Sequence, residues 1–236
     1  MPPPAKVCVV VPTYNERDNV APLVESIERA AIPGLSVLFV DDNSPDGTAE
    51  EVRRQAATRE WIHLNIRPSK MGIGSAYQDG FREAIASFEP DALVEMDADL
   101  QHPASALPSL VAAIERGADV AICSRYITGG GISGWGRVRR SVSRGANAYA
   151  RLMLGLKVKD ATSGFRAYSR AAAQAVSEAK LPAKGFEFQV ATINLLKAKW
   201  RIDEVPFTFT ERTSGKSKLG FPDVARFFVA ILRMAF

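Results

Sequence analysis

The sequence is short of cysteine, of long apolar runs and of net charge, and each shortage removes a class of protein. Only Cys8 and Cys123 occur in 236 residues, each inside an apolar run. They read as reduced core residues and fit a cytosolic setting rather than a disulfide-built extracellular one. No stretch has the ~20 apolar residues of a membrane-spanning helix. The nearest candidate, 221–236, is 16 residues long and carries Asp223, Arg226 and Arg233. Residues 1–6 are proline-rich without an apolar segment, so no signal peptide is expected. The formal net charge of +4 is too small to argue for nucleic acid by itself. Internal repeats and low-complexity linkers are absent. One domain is therefore expected over 1–220, with 221–236 as an amphipathic C-terminal helix.

What charge there is lies in one place. Between Arg125 and Arg166 stand nine Arg/Lys and one acid, Asp160, a local net of +8 that leaves −4 for the rest. Concentrated positive charge implies an anionic partner, with phosphate the obvious kind and a membrane surface a second. A solvated basic face is the plainer alternative.

The first 125 residues alternate. Lys6–Val11, Ser36–Val40, Ile62–Ile66, Ala92–Met96 and Asp119–Cys123 are short apolar runs that read as strands. Between them Asn19–Ala30 (with Asn15 as cap), Ala49–Thr58, Gly72–Ser87 and Pro103–Arg116 carry helical periodicity. Such alternation predicts an α/β fold with a mainly parallel central sheet flanked by helices. Ligands of such sheets bind beyond the carboxyl ends of the strands. Those ends carry Pro12–Glu16, Asp41–Asp42, Arg67–Lys70, Asp97–Gln101 and Ser124–Arg125. Further on, Thr128–Arg137 reads as a glycine-rich loop. Arg139–Leu154, Ser169–Lys180 and Phe186–Trp200 read as helices, and Arg201–Thr210 as a strand in which Pro206 demands an edge or a bend.

Asp97 and Asp99, placed on one side by strand alternation, join Gln101 in an oxygen donor set suited to Mg²⁺ or Mn²⁺. Helix capping before Pro103 is the alternative for the pair taken alone. Tyr14 and Glu16 could stack on a base and bind ring nitrogens or ribose hydroxyls, and Asp42 is placed to do the same. Arg212, Gly215 and Lys218 form a basic loop able to close over a diphosphate; Thr210 stands where a Walker A loop needs glycine. The match of Gly129, Gly131 and Gly134 to a dinucleotide fingerprint opens no helix directly and reads as a flexible loop. Arg137, Arg139, Arg140 and Arg144, with Ser141 and Ser143 between them, could bind a phosphate monoester or RNA phosphates. Sparse aromatics nearby weaken the single-strand reading.

Taken in order, VPTYNE (11–16), DDNSPDGT (41–48), KMGIGSAYQDGF (70–81), MDADLQHP (96–103), SRY with GG (124–130), SRGAN (143–147), TSGFR (162–166), GFEFQ (185–189) and EVPFTFTER with GKSKL (204–219) resemble the dolichol- or polyprenol-phosphate mannosyltransferases. These are inverting glycosyltransferases of family 2 with the Rossmann-like GT-A fold. The resemblance implies GDP-mannose as donor and dolichyl or polyprenyl phosphate as acceptor. It implies that Pro12, Tyr14, Glu16, Val40, Asp42, Asp97, Ala98, Asp99, Gln101 and Arg125 line the nucleotide-sugar site, and that Arg212 and Lys218 hold the diphosphate. Asp97, Asp99 and Gln101 would surround the metal, and Arg125, Arg139 and Ser143 would meet the lipid phosphate. Asp99 and Arg125 are the catalytic candidates. His102 reads as structural.

Such an acceptor implies peripheral association with the cytoplasmic face of a membrane, and the resemblance allows small membrane-anchoring subunits. The 221–236 helix has two readings, an interfacial helix or packing on the core. Two competing functions remain: a related transferase using another donor such as UDP-glucose, and a basic phosphate- or nucleic-acid-binding module. The latter leaves Asp97, Asp99 and Gln101 unexplained, so no nucleic-acid partner is expected.

Overall fold

The computed structural model describes residues 5–181, 185, 187–210 and 221–236. In chain order the elements are β1 (Val7–Thr13), α1 (Arg17–Arg29), β2 (Leu35–Asp41), α2 (Thr48–Ala56), β3 (Ile62–Ile66), α3 (Ile73–Phe88), β4 (Ala92–Glu95), α4 (Leu107–Glu115), β5 (Val120–Ser124), β6 (Gly131–Ser133), α5 (Arg137–Leu154), β7 (Arg166–Ser169), α6 (Arg170–Glu178), α7 (Phe188–Leu196), β8 (Ile202–Pro206), β9 (Thr208–Thr210) and α8 (Phe221–Ala235). Seven described strands form one sheet in the order β3-β2-β1-β4-β7-β5-β8, with β7 antiparallel to both neighbours and the other pairings parallel.

Strand alternation sorts the core into two layers. Cys8, Val10, Leu38, Val40 and Leu93 face α3, α6 and α7, whereas Val7, Val9, Val11, Val37, Phe39 and Val94 face α1, α2 and α4. The result is a three-layer sandwich with the sheet covered on both faces, which is why β1 reads as an unbroken apolar run. Cys8 and Cys123 lie on opposite faces of the sheet as buried free thiols. Burial pushes the Cys8 thiol up to about 12, so it stays protonated. Gly80 lets α3 lie directly on β1 and β2: a Cβ there would come within 2.4 Å of Val10 Cγ1.

Several local expectations change. Asn15 does not cap α1. It takes φ 57° and its N–H donates to Ser44 Oγ, while Glu16 occupies the cap position without a side-chain cap bond. The segment after Pro103 opens as a 3₁₀ turn, Ala104–Ala106, before α4 begins. The glycine-rich loop is not irregular throughout. Its centre is β6, paired in parallel with β9. Gly130 is required beside it, because a Cβ would sit 2.4 Å from the Ser124 carbonyl oxygen. Arg201–Thr210 breaks at Phe207 into β8 and β9, with Pro206 ending the edge strand as its missing N–H dictates. The four-residue β7 was not foreseen. It is held by pairing with β4 and β5, both distant in sequence, and carries little local signal.

Helix α8 has one side against the core and another toward solvent. Phe227 and Ile231 are buried in the core, whereas Val229, Leu232 and Phe236 are exposed. Among the described residues no helix is long and apolar enough to cross a membrane.

Candidate functional site

Because β2, β1 and β4 are adjacent, their carboxyl ends set residues 12–16, 41–48 and 97–101 side by side. The first two segments are stitched together by backbone donors. The N–H groups of Asn15, Glu16 and Arg17 donate to Ser44 Oγ, Thr48 Oγ1 and Asp46 Oδ2 at 3.0, 3.0 and 3.2 Å. Asp41 is wholly buried and accepts from Thr13 Oγ1, Ser44 N and Ser44 Oγ at 2.8, 2.8 and 2.6 Å. It is the structural member of the pair.

Asp42 is held from the far side. Arg67, buried at the end of β3, donates through Nε to Asp42 Oδ1 at 2.6 Å and pairs with Asp79 at 2.9 Å. Met71 N–H donates to Asp42 Oδ2 at 3.2 Å. Asp42 therefore stands at the rim with its charge balanced and its orientation fixed. Lys70 lies over the Tyr14 ring, 4.0 Å from its centroid, a cation on the face of the expected base-stacking residue. Pro12 is half-buried. Val40 and Ala98 are buried.

Asp97 and Asp99 do not end the strand, as alternation implied; β4 stops at Glu95 and both carboxylates sit in the turn that follows, with Leu100 at φ 64°. Their placement comes from hydrogen bonds. Tyr77, buried on α3, donates its hydroxyl to Asp97 Oδ1 at 2.9 Å. Burial, with the Asp97 and Glu95 carboxylates beside it, pushes this hydroxyl well above its usual range, so it remains a donor. His102 accepts the Asp97 N–H through Nδ1 at 3.0 Å, which puts its Nε2 at 3.8 Å from Asp97 Oδ2, and it stacks on Phe165. The structural reading of His102 therefore acquires a purpose, since it braces the turn. Asp99 Oδ1 accepts the Gln101 N–H at 3.0 Å.

The donor chemistry fits a hard divalent cation: two carboxylates and a neutral amide, with the Asp97 side chain 31% exposed. Among the described residues no group of three or more His, Cys, Asp and Glu converges as a metal site, at this turn or elsewhere. So few protein ligands suit an ion whose remaining positions are taken by water and phosphate oxygens.

Beneath the turn, Glu95 is completely buried, and neither of its oxygens has a hydrogen-bond partner among the described residues; the Tyr168 hydroxyl and Gln189 amide are close neighbours outside bonding geometry. Burial raises its carboxyl to about 7 against the pull of Arg166.

The basic segment divides. Arg166 is turned into the core, donating to the carbonyls of Ala161, Ser163 and Gln189 and to Thr192 Oγ1. Arg125 is buried and forked onto Asp160, with Nε to Oδ2 and Nη2 to Oδ1 both at 2.7 Å. Burial works against the Arg125 cation, and Asp160 outweighs it, leaving its pKa raised. Of the other seven basic residues, Arg137, Arg144, Arg151, Lys157 and Lys159 are exposed, and Arg139 and Arg140 are half-buried. Arg139 lies over the Trp135 ring at 4.2 Å, and Ser143 Oγ accepts from the Tyr126 hydroxyl at 2.7 Å. Arg125, Arg139 and Ser143 are thus linked through Tyr126 and Trp135, whose rings also lie 5.4 and 5.7 Å from the Arg125 guanidinium. Arg212 and Lys218 fall outside the described residues. Sequence reasoning missed Arg67, Tyr77 and Asp160. Only the need of buried charges for a partner could have pointed to them, and it does not say which partner.

The model of the family "Glycosyl transferase family 2" matches residues 8–177. The polyprenol monophosphomannose synthase of Mycolicibacterium smegmatis is 40% identical over 219 residues, 92% of this chain and 82% of that protein. The undecaprenyl-phosphate mannosyltransferase of Micrococcus luteus is 40% identical over 229 residues, 97% and 93% of the two chains. Among solved structures, glucosyl-3-phosphoglycerate synthase from Mycobacterium tuberculosis, in complex with Mn²⁺, uridine-diphosphate and phosphoglyceric acid, is similar at a TM-score of 0.71. It covers 98% of this chain and 78% of that one at 21% identity, a likeness of fold.

Proposed function

This chain belongs to glycosyl transferase family 2, and on that premise we propose that it moves mannose from GDP-mannose to a polyprenyl or dolichyl phosphate, giving lipid-phosphate mannose and GDP. The observation that carries the reading is 40% identity, over 97% of the chain, to a protein named as an undecaprenyl-phosphate mannosyltransferase. The site's layout supports it: a carboxylate turn stands between a rim suited to a nucleotide and a segment rich in arginine.

Asp97, Asp99 and Gln101 would hold Mg²⁺ or Mn²⁺. When bound, such an ion supplies positive charge to the diphosphate leaving group. Tyr77 and His102 keep Asp97 aimed at it. Tyr14, Glu16 and Asp42 face the nucleoside, with Arg67 fixing Asp42 in place. Arg212 and Lys218 would neutralise the departing phosphates.

On the acceptor side Arg139 and Ser143 meet the lipid phosphate. Arg125 joins them through Nη1, because Nε and Nη2 are committed to Asp160 and Thr162. It offers direction more than net charge, since Asp160 offsets its own. A phosphate monoester has a second pKa of about 6, so the attacking oxygen is already largely ionised at neutral pH. No strong general base is needed, and Asp97 and Asp99 are kept for the leaving group. Attack from the face opposite GDP inverts the anomeric centre. A lipid acceptor puts the reaction at a bilayer, in keeping with peripheral attachment to the cytoplasmic face and with small anchoring subunits.

The test is a radiolabelled transfer assay with GDP-mannose and a polyprenyl phosphate, with and without divalent metal, beside the same assay with UDP-glucose. Metal-dependent mannolipid formation is expected. Transfer from UDP-glucose alone would overturn the donor assignment, and no product from either would overturn the reaction.

A further inference from the structure

Arg67 and Arg125 each follow a strand, β3 and β5, and both are buried, yet they are neutralised differently. The Arg125 side chain, 8% exposed, has one carboxylate. It forks onto that group, with Nε on Asp160 Oδ2 and Nη2 on Oδ1. The Arg67 side chain, 4% exposed, has two carboxylates. It does not fork onto either. Nε donates to Asp42 Oδ1, Nη2 lies against the same oxygen, and Nη1 donates to Asp79 Oδ2 at 2.9 Å. Ser75 Oγ and the Gly72 carbonyl accept from Nη1 and Nη2 at 2.8 and 3.2 Å. One carboxylate is enough to neutralise a buried guanidinium, as Asp160 does. The charge of Asp79 therefore needs another reason.

Ser75, Asp79 and Arg82, four and three residues apart, line one strip of α3, while Tyr77 and Phe81 point into the core. The oxygens of Asp79 are divided. Oδ2 accepts from Arg67, and Oδ1 accepts from Arg82 Nη2. Arg82 in turn donates through Nη1 to the Ser177 carbonyl at 2.7 Å, in the last turn of α6. Charge thus alternates along Asp42, Arg67, Asp79 and Arg82. The row runs from the rim of the site to the carboxyl end of a second helix, where a cation is favoured. Gln78 fastens the same helix end, donating to the Val176 and Ala179 carbonyls at 2.7 and 2.8 Å.

The consequence falls on Asp42. Because Asp79 draws Nη1 away, Arg67 meets Asp42 through Oδ1 alone. Among the described residues Asp42 Oδ2 accepts only the Met71 N–H, at 3.2 Å, and a carboxylate oxygen has room for a second donor. We infer that Asp79 is a positioning residue for the donor's nucleoside: by holding Arg67 back from a fork, it keeps Asp42 Oδ2 open to accept a hydrogen bond from that nucleoside. The inference rests on the proposed function, which sets the nucleoside against Asp42.

The experiment is calorimetric titration of the full chain, in the presence of Mn²⁺, with GDP and with inorganic diphosphate. Wild type, Asp79→Asn, Asp79→Glu, Asp42→Asn and Asp42→Asn/Asp79→Asn are compared, each checked by thermal unfolding. Asp79→Asn should bind GDP about tenfold more weakly. Its binding of inorganic diphosphate should be unchanged, because that ligand has no nucleoside to meet Asp42. Asp79→Glu, which keeps the charge, should recover most of the loss. With Asp42 already replaced by Asn, Asp79→Asn should have no further effect. Equal losses for GDP and inorganic diphosphate, or the same loss in the Asp42→Asn background, would make Asp79 a structural residue and overturn the inference. Unchanged or tighter GDP binding by Asp79→Asn would overturn it too. If wild type and variants show the expected binding pattern yet wild type transfers no mannose, the proposed reaction fails and the role of Asp79 stands. A wild type that binds no GDP overturns both.

Discussion

The hydroxyl of Tyr77, buried on α3, donates to Asp97 Oδ1 at 2.9 Å across 20 residues of sequence. This bond ties the site's first carboxylate to the core. Its donor end lies on the same face of the sheet as Cys8 and Val10, and its acceptor end emerges at the rim, so the packing of α3 on β1 sets the aim of Asp97.

Tyr77→Phe keeps the ring and removes the donor. The expected stability loss is about 0.5–1.5 kcal/mol, that of one hydrogen bond. The concentration of Mn²⁺ or Mg²⁺ needed for half-maximal transfer should rise about 10–100-fold. Metal titration of activity beside urea unfolding separates the two effects. A stability loss with unchanged metal activation would make Tyr77 a packing residue only.

Asp99→Ala should abolish transfer while the protein stays folded, because Asp99 is partly exposed in the turn that follows β4. Circular dichroism and the mannolipid assay check it. Near-normal turnover would remove Asp99 from the metal site.

Asp160→Asn should be among the most destabilising single changes outside the apolar core, by about 3–5 kcal/mol, because it leaves the buried Arg125 guanidinium without its counter-charge. Restoring much of that stability in Asp160→Asn/Arg125→Met would show that the loss comes from the stranded cation. Urea unfolding of the two variants decides it.

Glu95 gives a pH dependence of definite sign. Its folded-state carboxyl stands at about 7 against an ordinary 4.5. Between those values the folded protein holds a proton that the unfolded chain has released. Stability therefore falls as pH rises through this window, and the full penalty is present above it. Glu95→Gln should flatten the profile and, at alkaline pH, stabilise the fold by at most about 3 kcal/mol. Urea unfolding with EDTA, at acidic and alkaline pH, measures the difference. A variant with the wild-type slope would assign the pH dependence elsewhere.

Much of the site was legible in the sequence because it lies at strand ends, and strands announce themselves. Residues 12–16, 41–42 and 97–101 each follow an apolar run, and a parallel sheet gathers such ends on one edge. The sequence misjudged how Asp97 and Asp99 are held, since alternation governs only residues still in the strand, and β4 ends before them. It also overcounted the positive field. Arg125 and Arg166 look like their seven neighbours in a string of letters, yet burial pairs one with Asp160 and turns the other onto main-chain carbonyls.

The amino-acid sequence by itself determined the α/β alternation, the three-layer core and the family, because hydrophobic period and residue order are local properties. Only tertiary structure decided which charges reach solvent, that Tyr77 and His102 brace the Asp97 turn, that Arg67 fixes Asp42, and that Asp79 shares Arg67 with it. Each of these depends on which distant segment covers a side chain. Coverage is set by the three-dimensional packing of helices on the sheet, which no spacing along the chain encodes.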